Sequence, residues 1–146
     1  MGNIISIKEM MQIDREKLIE KATKEVKARH LSKVMGKPVY IKLQALSGST
    51  FASIMQMAQG KDGNVDIGKS RVAQAQMVLR GVIEPNLRDK ELLEYFNAPT
   101  PKELVEMLFP GGELVDISNQ IGVLSGFLDE TEDGAEEADL GEEVKN

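Results

Sequence analysis

GNVDIGKS, Gly63–Ser70, is the stretch on which the reading of this chain turns. It meets the spacing Gly-x-x-x-x-Gly-Lys-Ser of a phosphate-binding loop. Such a loop works only where a buried strand delivers it and a helix starts directly after it, so that backbone N–H groups cradle the phosphates. If it is one, the fold is a parallel α/β sheet. If it is a turn between two helices, the fold is mainly α. The residues upstream favour the turn. Phe51, Ile54, Met55 and Ala58 recur at the i, i+3, i+4, i+7 spacing of a buried helical stripe, and Gly60 ends the run, so no strand leads into Gly63. Downstream, no apolar β-branched run ends in the aspartate that would position Mg²⁺, because Glu113-Leu114-Val115-Asp116 lies inside a helical pattern. The residues after Ser70 are also too few to build a parallel sheet.

Working outward, helix resumes near Gly68 with Val72, Ala75, Leu79 and Val82 on one face, and Pro85-Asn86 stops it. A short helix over 89–96 ends at Asn97, which suits the left-handed closing position. Thr100-Pro101-Lys102-Glu103 places an N-cap, a proline at the first helical position and a glutamate at the third. After Phe109-Pro110-Gly111-Gly112 a last helix aligns Leu114, Ile117, Ile121 and Leu124, and Gly126-Phe127 reads as a Schellman ending with the ring folded back on the final turn. Toward the N-terminus, Ser6 with Glu9 forms a capping box, Asp14 caps a further turn with Ile13 stapled to Leu18, and helix is expected to about Ala22. A β-hairpin is expected across 23–46, with Val26, Ala28 and His30 alternating on one face and Val39–Leu43 as the second strand. His30 is read as an edge-strand or partly buried residue rather than a catalytic one. Ser47 or Ser49 opens the helix of Phe51.

The 146 residues make one domain with room for one core. With 41% apolar and 29% charged residues the chain has the balance of a soluble globular protein. No cysteine is present and histidine occurs once, which removes thiolate chemistry and leaves little for metal binding or general-base work. The start lacks a secretory signal, and a cytoplasmic location is expected. Met1-Gly2 with Ser6 meets the short N-myristoylation pattern, but nothing else points to a membrane anchor.

The net charge of −6 is unevenly spread. Asp129, Glu130, Glu132, Asp133, Glu136, Glu137, Asp139, Glu142 and Glu143 face Lys145 alone at the C-terminal end, leaving the rest slightly positive. Residues 129–146 are therefore read as a disordered acidic tail behind a domain over 1–128. A calcium loop starting at Asp129 would put Leu140 where the bidentate glutamate belongs. Neither part offers the cationic stripe of a nucleic-acid binder. The expected fold is mainly α, a compact bundle of about five to six short helices with a small N-terminal β-hairpin.

The order of punctuation marks from Gly81 to Phe127 carries more information than any single mark. Val82–Leu87 (VIEPNL), Thr100–Val105 (TPKELV), Pro110–Gly112 (PGG) and Ser125–Phe127 (SGF), with PVYIKLQALS upstream, resemble the XkdN-like tail assembly chaperones of phages and phage-derived elements. Asn97 stands where glycine is commoner in that family. The resemblance implies a non-enzymatic protein that binds the long helical tape measure protein and keeps it soluble until tail tube subunits replace it. It also implies action in the bacterial host cell and absence from the mature virion. No cofactor or metal is implied, and self-association is left open. Methionine supplies an adaptable apolar surface, and Met55, Met57, Met77 and Met107 are the candidate client-binding residues beside their plainer role as core filler. In many such phages a ribosomal frameshift near the end of the gene makes a longer form that recruits the tail tube protein; Lys145-Asn146 allows an adenine-rich slippery run, and the acidic tail would then be a linker. The alternatives are a small structural tail component and, through Gly63–Ser70, a nucleotide-binding protein.

Overall fold

The computed structural model describes residues 3–64 and 66–129; the acidic-tail assignment, apart from Asp129, lies outside them. About 52% of the chain is helical, with a small antiparallel sheet. The mainly α class holds, with more helices than the sequence suggests. Among the described residues the order is α1 (Ile7–Met10), α2 (Arg15–Leu18), β1 (Thr23–Lys27), α3 (Arg29–Met35), β2 (Tyr40–Gln44), α4 (Gly48–Gln56), α5 (Ile67–Gly81), β3 (Val82–Glu84), α6 (Lys90–Tyr95), α7 (Pro101–Leu108) and α8 (Gly112–Leu124).

The sheet runs β1-β2-β3, both neighbours antiparallel. The pleat sends Val26, Ile41, Leu43 and Val82 into the core and leaves Glu25, Tyr40 and Glu84 outside. α5 is the central helix, packed against α4, α7, α8 and β3. Its Ala73, Ala75, Met77, Val78 and Leu79 are buried with Leu104, Val105 and Leu108 of α7 and Leu114, Ile117 and Ile121 of α8. α5 and α8 approach closely at Gly81, where a Cβ would stand 2.4 Å from Ile121 Cδ1. Phe109 is fully buried at the α7–α8 corner.

Local signals landed where the chain places them. Ser47, Asp89 and Thr100 each cap their helices, through N–H groups of Thr50, Leu92 and Glu103. Asn97 has φ 55° and Gly126 φ 85°. Phe127 N–H donates to Gly122 O and Gly126 N–H to Val123 O, both at 3.0 Å, which is the Schellman pair. The Phe127 ring stacks on Phe51 of α4, centroids 4.1 Å apart, rather than on its own last turn.

Three expectations are corrected. The N-terminal helix is two single turns ending at Leu18 rather than one helix to Ala22: the Asp14 carboxylate takes the Glu16 N–H and starts a new cap, and neither turn has a buried residue. The hairpin over 23–46 keeps its strand pairing, Thr23 opposite Gln44 through Lys27 opposite Tyr40, but α3 fills the connection and His30 lies on that helix, half-buried. The stop before Pro85 is a strand, since Val82–Glu84 joins β2 after the helix closes at Gly81.

α3 forms where the sequence alternates because its N-terminus is capped from afar. Its own N-cap, Ala28, has no side chain to give. The Glu113 carboxylate accepts the Arg29 N–H at 2.6 Å and the His30 N–H at 3.1 Å, and the Arg29 guanidinium reaches Asp116 at 2.7 Å. Ser32 Oγ accepts the Val39 N–H at 2.9 Å, and Gly36, φ 73°, turns the chain into β2.

Candidate functional site

The turn before α5 is closed by its own carboxylates. Asp66 Oδ1 accepts the Lys69 N–H at 3.0 Å, taking the helix N-terminus that a phosphate would need. Asp62 accepts the Asn64 backbone N–H at 3.0 Å and its side-chain amide at 3.2 Å, hydrogen bonds that hold the Asp62 carboxyl below its ordinary range. Gly60 N–H donates to Asn64 O at 2.7 Å. α4, not a strand, leads in. A phosphate arriving here meets the carboxylates of Asp62 and Asp66, which already hold the Asn64 and Lys69 N–H groups. The geometry is that of a turn between helices, as the upstream stripe indicates.

Among the described residues no group of three or more His, Cys, Asp or Glu side chains is placed to hold a metal ion, and no buried side-chain polar atom lacks a partner. No helix among them is long and apolar enough to cross a membrane. His30, which could have served as a base, is tied into α3 by its backbone.

The surface that stands out is apolar and lies at the N-terminus. No residue from Asn3 to Glu25 is buried. Ser6 and Glu9 exchange the two hydrogen bonds of the capping box, 2.9 and 3.1 Å, and so build α1. Ile7, Met10 and Met11 follow the i, i+3, i+4 spacing through α1 and its C-cap, and Ile4 stands outside the helix, before the N-cap Ser6. In α5 and α8 that spacing is covered by neighbours. Here it is bare: Ile4 is 96% exposed, Met11 76% and Ile7 72%. Leu18 and Ile19 follow, also exposed. A soluble domain seldom leaves so contiguous an apolar run uncovered without a partner to take it up.

The four methionines singled out from the sequence divide. Met55 and Met57, at the end of α4, are each 39% exposed, and Met107 on α7 is 47% exposed. Met77 is 2% exposed and fills the core between α5 and its neighbours. The N-terminal residues are not legible as a contact surface from the sequence, because an apolar row with a good cap reads as one more packed helix. The sequence signal was present in Ile4, Ile7 and Met11, but whether anything covers it is a question of tertiary contacts.

A family model described as the phage XkdN-like tail assembly chaperone protein matches residues 7–139. The chain belongs to this family. A search among curated proteins finds no significant match. Among solved structures, the crystal structure of the protein YqbN superposes with a TM-score of 0.53 at 18% identity, covering 73% of this chain and 87% of that one; the likeness is one of fold. In this tail assembly chaperone the marks that carried the family resemblance are all structural: VIEPNL is β3 and its exit turn, TPKELV the capped start of α7, PGG the α7–α8 corner and SGF the α8 ending. The exposed apolar stripe lies apart from them.

Proposed function

We propose that this chain is a non-enzymatic chaperone that holds the helical tape measure protein of a phage or prophage tail in solution, and that the exposed apolar residues in and beside α1, Ile4, Ile7 and Met11, are a principal contact with it. The observation that supports this is that apolar row, exposed among the described residues, in a member of the tail assembly chaperone family. A helical client presents the complementary feature, an apolar row needing a partner until assembly. Short helical turns with no buried residue among the described ones can adjust to a repetitive client. Met55, Met57 and Met107 offer further deformable apolar contact, whereas Met77 does not. Tail tube subunits would displace the chaperone, recruited by a longer frameshifted form where one is made. The work is done in the bacterial cytoplasm and the protein leaves before the virion matures.

The test is co-expression with the tape measure protein of the same gene cluster. The wild-type chain should move that protein into the soluble fraction, and the triple change Ile4→Asp, Ile7→Asp, Met11→Asp should abolish this while leaving the chaperone folded. A tape measure protein that stays insoluble beside the wild-type chain refutes the function. Solubilisation undiminished by the triple change refutes the site. Mass spectrometry of purified particles separates a chaperone, which should be depleted, from a structural tail component.

A further inference from the structure

β1 is an edge strand with one side spoken for and the other free. The bonds from Ala28 N–H to Val39 O and from Ala45 N–H to Ala22 O, both 2.9 Å, show that even-numbered residues of this strand face β2. By the period of two, Thr23, Glu25 and Lys27 direct their N–H and C=O groups outward. Among the described residues these outward groups have no further backbone partner.

We propose that β1 pairs antiparallel with β1 of a second copy of this chain, in the register centred on Val26, doubling the three-stranded sheet across a two-fold axis. Charge and pleat select this register. Centred on Val26, Glu25 lies opposite the partner's Lys27 and Lys27 opposite the partner's Glu25. Both are hydrogen-bonded positions, because both carry outward N–H and C=O groups. Centring on Glu25 would oppose two carboxylates, and centring on Lys24 two ammonium groups. A centre between residues would continue the buried face of one sheet as the exposed face of the other. Lysines on an edge strand ordinarily deter pairing, but here each meets an opposite charge. The same register sets Thr23 opposite the partner's Arg29, the first residue of the partner's α3, and the chain entering β1 carries Leu18 at 69% and Ile19 at 55% exposure. That helix exposes Val34 at 67% and Met35 at 56%, so apolar area is available to add to the backbone bonds. The two-fold axis would then put two α1 segments, and so two client contacts, on one assembly.

The test is sedimentation of the full chain over a concentration series. The wild type should run as a dimer. Glu25→Pro removes an outward donor without touching the β1–β2 ladder and should give a monomer. Lys27→Glu sets carboxylates opposite each other twice and should raise the dissociation constant more than about tenfold. The double change Glu25→Lys, Lys27→Glu restores opposite charges and should restore the dimer. Circular dichroism checks folding, and if Glu25→Pro fails to fold the charge variants decide. A monomeric wild type, a dimer indifferent to these changes, or a double variant no better than Lys27→Glu overturns the proposal. So does a wild type that is monomeric alone but loses client binding on Glu25→Pro, which would assign the edge to the client.

Discussion

Glu113→Ala is the change that most directly tests how this fold is held together. The carboxylate is 6% exposed and accepts the Arg29 N–H at 2.6 Å and the His30 N–H at 3.1 Å, capping α3 in place of Ala28. Removing it leaves two helix N-terminal donors without a protein partner. A lost N-cap costs about 1 kcal/mol, up to roughly 2. A hydrogen bond to a charged group is worth about 1.5–3 kcal/mol net. Because these donors are only part-buried and water can replace some of the loss, the two contributions do not add in full. The Arg29–Asp116 pair survives, but with Arg29 54% exposed it compensates little. The expected loss is about 2 kcal/mol, offset by a few tenths from alanine's better helix propensity in α8. With an m-value of about 1.5 kcal/mol/M in urea, the midpoint should fall by roughly 1.1 M. Glu113→Gln keeps one acceptor and the shape, and should lose about half as much. Urea titrations followed by circular dichroism measure both. If Glu113→Ala stays within about 0.5 kcal/mol of wild type, the distant cap does not hold α3 and the account of that helix is wrong.

Thr100→Ala removes the side chain that accepts the Glu103 N–H at 3.3 Å and should cost about 1 kcal/mol, read as a lower urea midpoint. Gly81→Ala places a Cβ against Ile121, where 2.4 Å is available, and should destabilise by about 1–3 kcal/mol; a Gly81→Ala, Ile121→Val double variant should recover part of the loss. Ile4→Asp, in contrast, touches nothing buried and should leave stability within about 0.5 kcal/mol while reducing soluble tape measure protein in co-expression. A fluorescent GTP or ATP analogue with Mg²⁺ should show no saturable binding that Lys69→Ala removes; micromolar binding lost in that variant would reinstate the phosphate loop.

What the sequence determined by itself is everything settled within one turn of chain. Ser6 with Glu9, Ser47 and Thr100 cap helices, Asn97 and Gly126 take the left-handed positions, and Leu114, Ile117 and Ile121 align on one side of α8, because each depends on residues a few positions apart. Those marks were enough to reject a parallel sheet around Gly63–Ser70 and to carry the family resemblance. Only the tertiary structure decided what joins distant segments. α3 rather than a strand follows β1 because Glu113, 84 residues from Arg29, supplies its cap. β3 exists because β2 is there to pair with it, and the Phe127 ring finds Phe51 rather than its own helix. The candidate site divides in the same way. Met77 and Met107 both sit on apolar helical faces, yet one is covered and the other is not, and the well-capped stripe of α1 lies bare. A hydrophobic period states which side of a helix is apolar, but the neighbour that covers it, or fails to, comes from contacts that no local pattern encodes.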